Sequence, residues 1–80
     1  MEIKILGTGC PKCTRLEANA RAAGMELRVD IAIDKVSDIN DILAYGVMMT
    51  PGLVIDGEVV SKGKVLTVEE IKKLIEERTG

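Results

Sequence analysis

Cys10 and Cys13, with Pro11 and Lys12 between them, place two thiols one helical turn apart if a helix begins there. The apolar run Ile3 to Leu6 ends just before them, and the residues after them keep helical spacing, so the pair falls at a strand-to-helix junction. A helix start offers unpaired backbone N–H groups and the positive end of the helix dipole, and both stabilise a thiolate over a thiol. Cys10, at or before the first turn, is therefore expected to be the more reactive sulfur. Pro11 suits the first helical position, because its fixed φ matches the helix and its missing N–H would go unpaired there anyway. Lys12 adds a nearby cation. As a structural staple the pair would close a loop of only four residues. Chain entropy assigns such a loop only about 2 kcal/mol, a weak return for a cross-link.

Composition narrows the alternatives. The 80 residues are read as one domain, 1–80, whose core must be built from Ile, Val, Leu, Ala and Met, because Tyr45 is the lone aromatic. Eleven basic residues against thirteen acidic ones give a formal charge of −2, with no basic stripe of the kind that neutralises phosphates. Nucleic acid is therefore not an expected partner. No segment approaches the roughly 20 apolar residues of a membrane span, and the N-terminus lacks a basic region followed by an apolar signal core. A soluble, cytoplasmic protein without membrane partners is expected, and in a reducing compartment two cysteines are more often catalytic or metal-binding than structural. Metal handling by the same pair stands as an alternative, since two soft thiolates at this spacing can chelate copper(I) or zinc. With no histidine and no third cysteine, a closed tetrahedral zinc site cannot be assembled from those ligands in one chain. No resident metal is expected.

The elements that must position the sulfurs follow from pattern. Residues 2–6 read as a strand, and Gly7-Thr8-Gly9 breaks it. From Pro11 to Ala23, Cys13, Leu16, Ala20 and Ala23 form the inner stripe of a helix that Gly24 is expected to stop. That stripe turns Cys13 toward the packed side and Cys10 toward solvent. Met25 to Ile33 predicts a second strand, with Leu27, Val29, Ile31 and Ile33 at period two. Ser37 is expected to cap a second, structural helix with Ile39, Ile42 and Leu43 on its inner face, ending at Tyr45-Gly46. Asp56-Gly57 predicts a tight hairpin between strands at 52–56 and 58–61. Thr67 and Glu70 form a capping box, and Leu66 with Ile71 a hydrophobic staple, at the start of a last helix that buries Val68, Ile71, Leu74 and Ile75. Lys72, Lys73, Glu76 and Glu77 are assigned to its solvated outer face. The order βαβαββα implies an α/β sandwich whose first two strands are parallel through a right-handed crossover.

With those elements in place, the chain resembles the thioredoxin superfamily, and most closely its compact glutaredoxin-like members, the small redox-active disulfide proteins. The resemblance spans essentially the whole chain and is carried by Gly7-Thr8-Gly9-Cys10-Pro11-Lys12-Cys13, by Thr50-Pro51-Gly52 and by the Asp56-Gly57 hairpin with the helix after it. It implies a thioredoxin-like fold: a four-stranded mixed sheet in the order 2-1-3-4, flanked by three helices, the first and last on one face and the middle one on the other. It also implies a cis Pro51 abutting the cysteines, which leaves the main chain of Thr50 free to bind an extended substrate segment. Pro11, Lys12, Thr50 and Pro51 are thus the expected substrate-binding residues. For Lys12, electrostatic tuning of the thiolate and a plain surface lysine remain open alternatives.

The activity so implied is thiol–disulfide exchange on protein disulfides, with Cys10 as nucleophile, Cys13 as resolving thiol and no cofactor. Departures shape the details. Thioredoxins proper carry a buried acid in the strand before the cysteines, where this chain has Lys4, and glutaredoxins carry Tyr in place of Lys12 and a Gly-Gly pair where this chain has Ser61-Lys62-Gly63-Lys64. A flavin-dependent thioredoxin reductase-type donor and a monomeric protein are therefore expected, with glutathione-dependent glutaredoxin activity as the alternative. A copper chaperone is disfavoured by its different element order, βαββαβ. Met48 and Met49 are expected to fill core space rather than to form a sticky interaction surface.

Overall fold

Residues 1–79 are described by a computed structural model, in which the elements run β1 (Glu2–Leu6), α1 (Pro11–Leu27), β2 (Ala32–Val36), α2 (Ile39–Ala44), β3 (Gly52–Ile55), β4 (Glu58–Lys62) and α3 (Val68–Thr79). The sheet order is β2-β1-β3-β4. β1 pairs with β2 in parallel and with β3 antiparallel, and β3 pairs antiparallel with β4. This is a thioredoxin-like α/β fold with a mixed sheet and flanking helices.

The alternation of β1 divides the core. Ile3 and Ile5 face one way and, with Leu53 and Ile55 of β3, bury against Leu16, Ala20 and Ala23 of α1 and Ile71 and Ile75 of α3. Leu6 and Val54 face the other way and bury against Ile42 of α2 and Val47. α1 and α3 therefore share one face of the sheet and α2 covers the other. Val68 and Leu74 pack on the first core half-buried.

Local signals near the C-terminus act as their residue types dictate. Thr67 Oγ1 accepts from the Glu70 N–H at 3.1 Å while Glu70 Oε1 accepts from the Thr67 N–H at 3.0 Å, and Leu66 and Ile71 are both buried beside this cap. Asp56 and Gly57 both take positive φ, 48° and 85°, as a tight hairpin turn requires.

Three boundaries differ from expectation. Gly24 does not stop α1, which runs on to Leu27 and ends with Arg28 in the left-handed conformation. Gly24 instead gives room to a neighbour: a Cβ there would overlap the end of the Ile31 side chain packed across it, which would have to shift. The strand predicted over Met25 to Ile33 is mostly helix end and connection. Leu27, Val29, Ile31 and Ile33 do pack on the core, but β-pairing begins only where a partner exists, at Glu2↔Ala32. The N-cap of α2 is Asp38, not Ser37; its carboxylate accepts from the Asn40 N–H at 2.8 Å.

The inner face assigned to α2 is also corrected. Only Ile42 is buried, while Ile39 and Leu43 are exposed, and Met48 and Met49 are surface residues rather than core filler. With six residues, α2 is too short to turn a wide apolar face into the sheet. On α3, Lys72 leaves the solvated face assigned to it and reaches Glu26 of α1 at 3.1 Å. A second tie between these helices' neighbourhoods escaped the pattern: the Asn19 side-chain amide donates to the Leu66 carbonyl at 2.8 Å.

Candidate active site

The junction of β1 and α1 brings the two sulfurs together. Cys10 is the N-cap residue of α1, with extended φ and ψ of −71° and 165°, and Pro11 occupies the first turn. The Cys10 carbonyl accepts from the Thr14 N–H at 3.1 Å, which closes the first helical turn over the motif. Cys10 Sγ and Cys13 Sγ lie 3.0 Å apart as free thiols, within hydrogen-bonding distance. Their surroundings differ: Cys10 is half-buried, whereas Cys13 is 6% exposed on the packed side of α1.

This asymmetry separates the acidities of the pair. The Cys13 thiol, by hydrogen-bonding to Cys10, holds Cys10 below the ordinary thiol range, and backbone N–H groups of Cys13 and Lys12 add to the effect. Burial pushes Cys13 up, and its hydrogen bond to Cys10 acts in the same direction. The side chains buried in the core around it are apolar, with no buried charged group among the described residues. Lys12 is exposed, and its part in raising the Cys10 acidity is played by its main chain.

A second loop, leading into β3, comes close to Gly7 at the end of β1: a Cβ built on Gly7 would lie 4.0 Å from Thr50 Cβ. The Thr50–Pro51 bond is cis, Pro51 is fully buried, and Thr50 is exposed next to it. Gly63 fastens this loop by donating its N–H to the Pro51 carbonyl at 2.8 Å. Thr8, Thr50, Ile39, Ile42, Leu43, Val47 and Met48 line a groove of about 240 Å³ beside the cysteine motif. Its exposed apolar rim, Ile39, Leu43 and Met48, was not assigned to a site by pattern; the signal available was an apolar residue count on α2 in excess of what so short a helix can bury. A larger cleft of about 420 Å³ lies at the other end of α1, among Arg21, Met25, Arg28 and Ile31, and contains neither cysteine. Size alone does not locate the chemistry.

Lys4 of β1 points to the α2 side of the sheet and donates to the Tyr45 hydroxyl at 3.2 Å. Its ammonium is thereby held above the usual lysine range.

The family model for the thioredoxin domain matches residues 1–76. The chain belongs to the thioredoxin family. It is 45% identical over 75 residues to the thioredoxin of Methanothermobacter thermautotrophicus, covering 94% of this chain and 97% of that protein. It is 46% identical over 71 residues to the thioredoxin of Methanocaldococcus jannaschii, covering 89% of this chain and 81% of that one. A close Cys10–Cys13 pair on a thioredoxin-family fold is a candidate redox-active site, consistent with thiol–disulfide chemistry in general.

Proposed function

We propose that the protein reduces disulfide bonds in other proteins by dithiol exchange. The Cys10 thiolate attacks one sulfur of the client disulfide, a mixed disulfide forms, and the first client sulfur leaves as a thiolate. Cys13, deprotonated, then attacks the Cys10 sulfur; the Cys10–Cys13 bond closes as the Cys10–client bond breaks, and the second client thiolate departs. Two electrons pass to the client, and no resident cofactor is required.

The observation that carries this reading is the 3.0 Å separation of an accessible sulfur at a helix N-cap from a buried partner. The accessible thiol is the more acidic, which suits attack; the buried one is the less acidic, which keeps it protonated until the client is captured. Pro11, Lys12 and Thr50 are exposed around Cys10 and are assigned to client contact, with the buried Pro51 holding Thr50 in place. An apolar client side chain next to its disulfide would occupy the groove rimmed by Ile39, Leu43 and Met48. A flavin-dependent reductase of the thioredoxin reductase type is the assigned electron donor, and a cytoplasmic monomer is the assigned working form.

The test is client trapping with donor selection. Cys13→Ser is expected to accumulate mixed disulfides through Cys10, and the oxidised wild-type protein is expected to be reduced by the flavoprotein faster than by glutathione. Absence of trapped mixed disulfides removes the exchange reading. Preference for glutathione retains exchange and replaces the donor.

A further inference from the structure

We propose that Gly7 is a positioning residue for the exchange, its missing side chain being what allows the Cys13 sulfur to stand beside Cys10. The inference rests on the dithiol-exchange reading and adds to it a requirement at a position outside the Cys-Pro-Lys-Cys motif.

Gly7 is the first residue beyond β1 and is buried. A Cβ built on it would overlap Cys13 Sγ and lie 3.1 Å from Cys13 Cβ. Backbone conformation is not the reason for glycine here. Among the described residues the positive-φ glycines are Gly9, Gly46, Gly57 and Gly63, so Gly7 has a backbone that alanine can adopt and lacks only the space for one.

Neither backbone at this contact is free to retreat. The Gly7 N–H is donated to the Val36 carbonyl at 2.9 Å, which carries the β1–β2 pairing one residue past Leu6↔Val36 and fixes the main chain. Cys13 belongs to the first turn of α1, which the Thr14-to-Cys10 hydrogen bond closes. With both backbones held, a methyl group at position 7 must be accommodated by rotating the Cys13 side chain, and rotation takes the sulfur out of its 3.0 Å approach to Cys10.

That approach matters at the release step. Cys13 must travel only about 1 Å to reach the ~2.05 Å of a disulfide bond. In that step the Cys10–Cys13 bond forms, the bond from Cys10 to the captured sulfur breaks, and the electron pair leaves on the departing thiolate. Misplacement of a reacting group by about an ångström costs up to ~10²-fold in rate.

Stopped-flow reaction of the reduced protein with the aromatic disulfide dithiobis(nitrobenzoate) separates the two sulfurs. Capture at Cys10 releases one nitrothiolate, and attack by Cys13 releases the other. Gly7→Ala is expected to slow the second release by a factor on the order of ten to a hundred relative to wild type. A second release within twofold of wild type overturns the assignment to Gly7, whereas a wild-type protein that shows no second release overturns dithiol exchange itself. Thermal melts guard against a purely structural effect. Adding Cys13→Ala to Gly7→Ala removes the sulfur that the methyl group strikes, so the double variant is expected to recover most of the lost melting temperature. No recovery would place the clash elsewhere and overturn the inference.

Discussion

The two faces of the sheet use the same kinds of residue to opposite ends. On the α1/α3 face, Ile3, Ile5, Leu16, Ala20, Ala23, Leu53, Ile55, Ile71 and Ile75 are removed from water in one continuous core. On the α2 face, the buried cluster among the described residues is the smaller set Leu6, Ile42, Val47 and Val54, while Ile39, Leu43 and Met48 stay exposed at the groove beside the cysteine motif. Both faces are apolar in sequence, but burial stabilises the fold on one and exposure leaves a surface for contact on the other. Exposed apolar side chains gathered at a groove suit the client contact proposed above. The comparison teaches that the fold is anchored on one side of the sheet, which leaves the other side free for the client contact proposed above.

The sharpest way to break this division is to weaken the anchored face. Leu16→Ala or Ile71→Ala is expected to cost about 2–5 kcal/mol in denaturant unfolding, because each empties a fully buried site. The alkylation rate of Cys10 in the folded variants is expected to match wild type. A cost within ~0.5 kcal/mol, the range of ordinary surface changes, would remove the contrast. At the cap of α3, Thr67→Ala is expected to cost about 1 kcal/mol by the same assay, since it orphans the Glu70 N–H.

The recognition face is probed in the opposite sense. Ile39→Ser with Leu43→Ser is expected to change stability by no more than about 0.5 kcal/mol, since both side chains are exposed. The same pair of changes is expected to raise KM for a protein disulfide severalfold while leaving the reduction of a small disulfide unaltered. Equal effects on both substrates would deny the groove a part in recognition.

The smallest effect is electrostatic and lies on α1. Arg21 and Lys35 flank Glu17, and the hydrogen bond from Arg21 leads in holding its carboxyl below the ordinary value of 4.5. A carboxyl depressed in the folded state contributes its stability above the unfolded value and loses it as pH falls through the folded one. Acid unfolding of Glu17→Gln is therefore expected to show a shallower loss below about pH 4.5 than wild type. An unchanged slope would show that the pair is screened.

What the sequence made legible was local. The cysteine motif at a helix start, the Thr67–Glu70 cap and the Asp56-Gly57 turn each depend on residues a few positions apart, and each forms as its residue types require. What it left hidden depends on partners distant in the chain. β2 starts at Ala32 because β1 starts at Glu2, a limit invisible in the alternation from Leu27 to Ile33. Periodicity marked Ile39, Ile42 and Leu43 as one apolar face, but only the sheet's position decides that Ile42 is the one covered. The glycines show the same boundary: Gly57 was readable from its turn, while Gly7 and Gly24 lie against side chains of Cys13 and Ile31 that reach them through the fold.

The central claim, that position and burial divide the labour between the two sulfurs, is tested most directly by alkylating the reduced protein with iodoacetamide across pH and scoring each cysteine by peptide mass. Cys10 is predicted to react first, with a midpoint below the ~8.5 of an ordinary thiol, and Cys13 later, with a midpoint above it. Two cysteines that titrate together, at the ordinary value and at equal rates, would contradict the account.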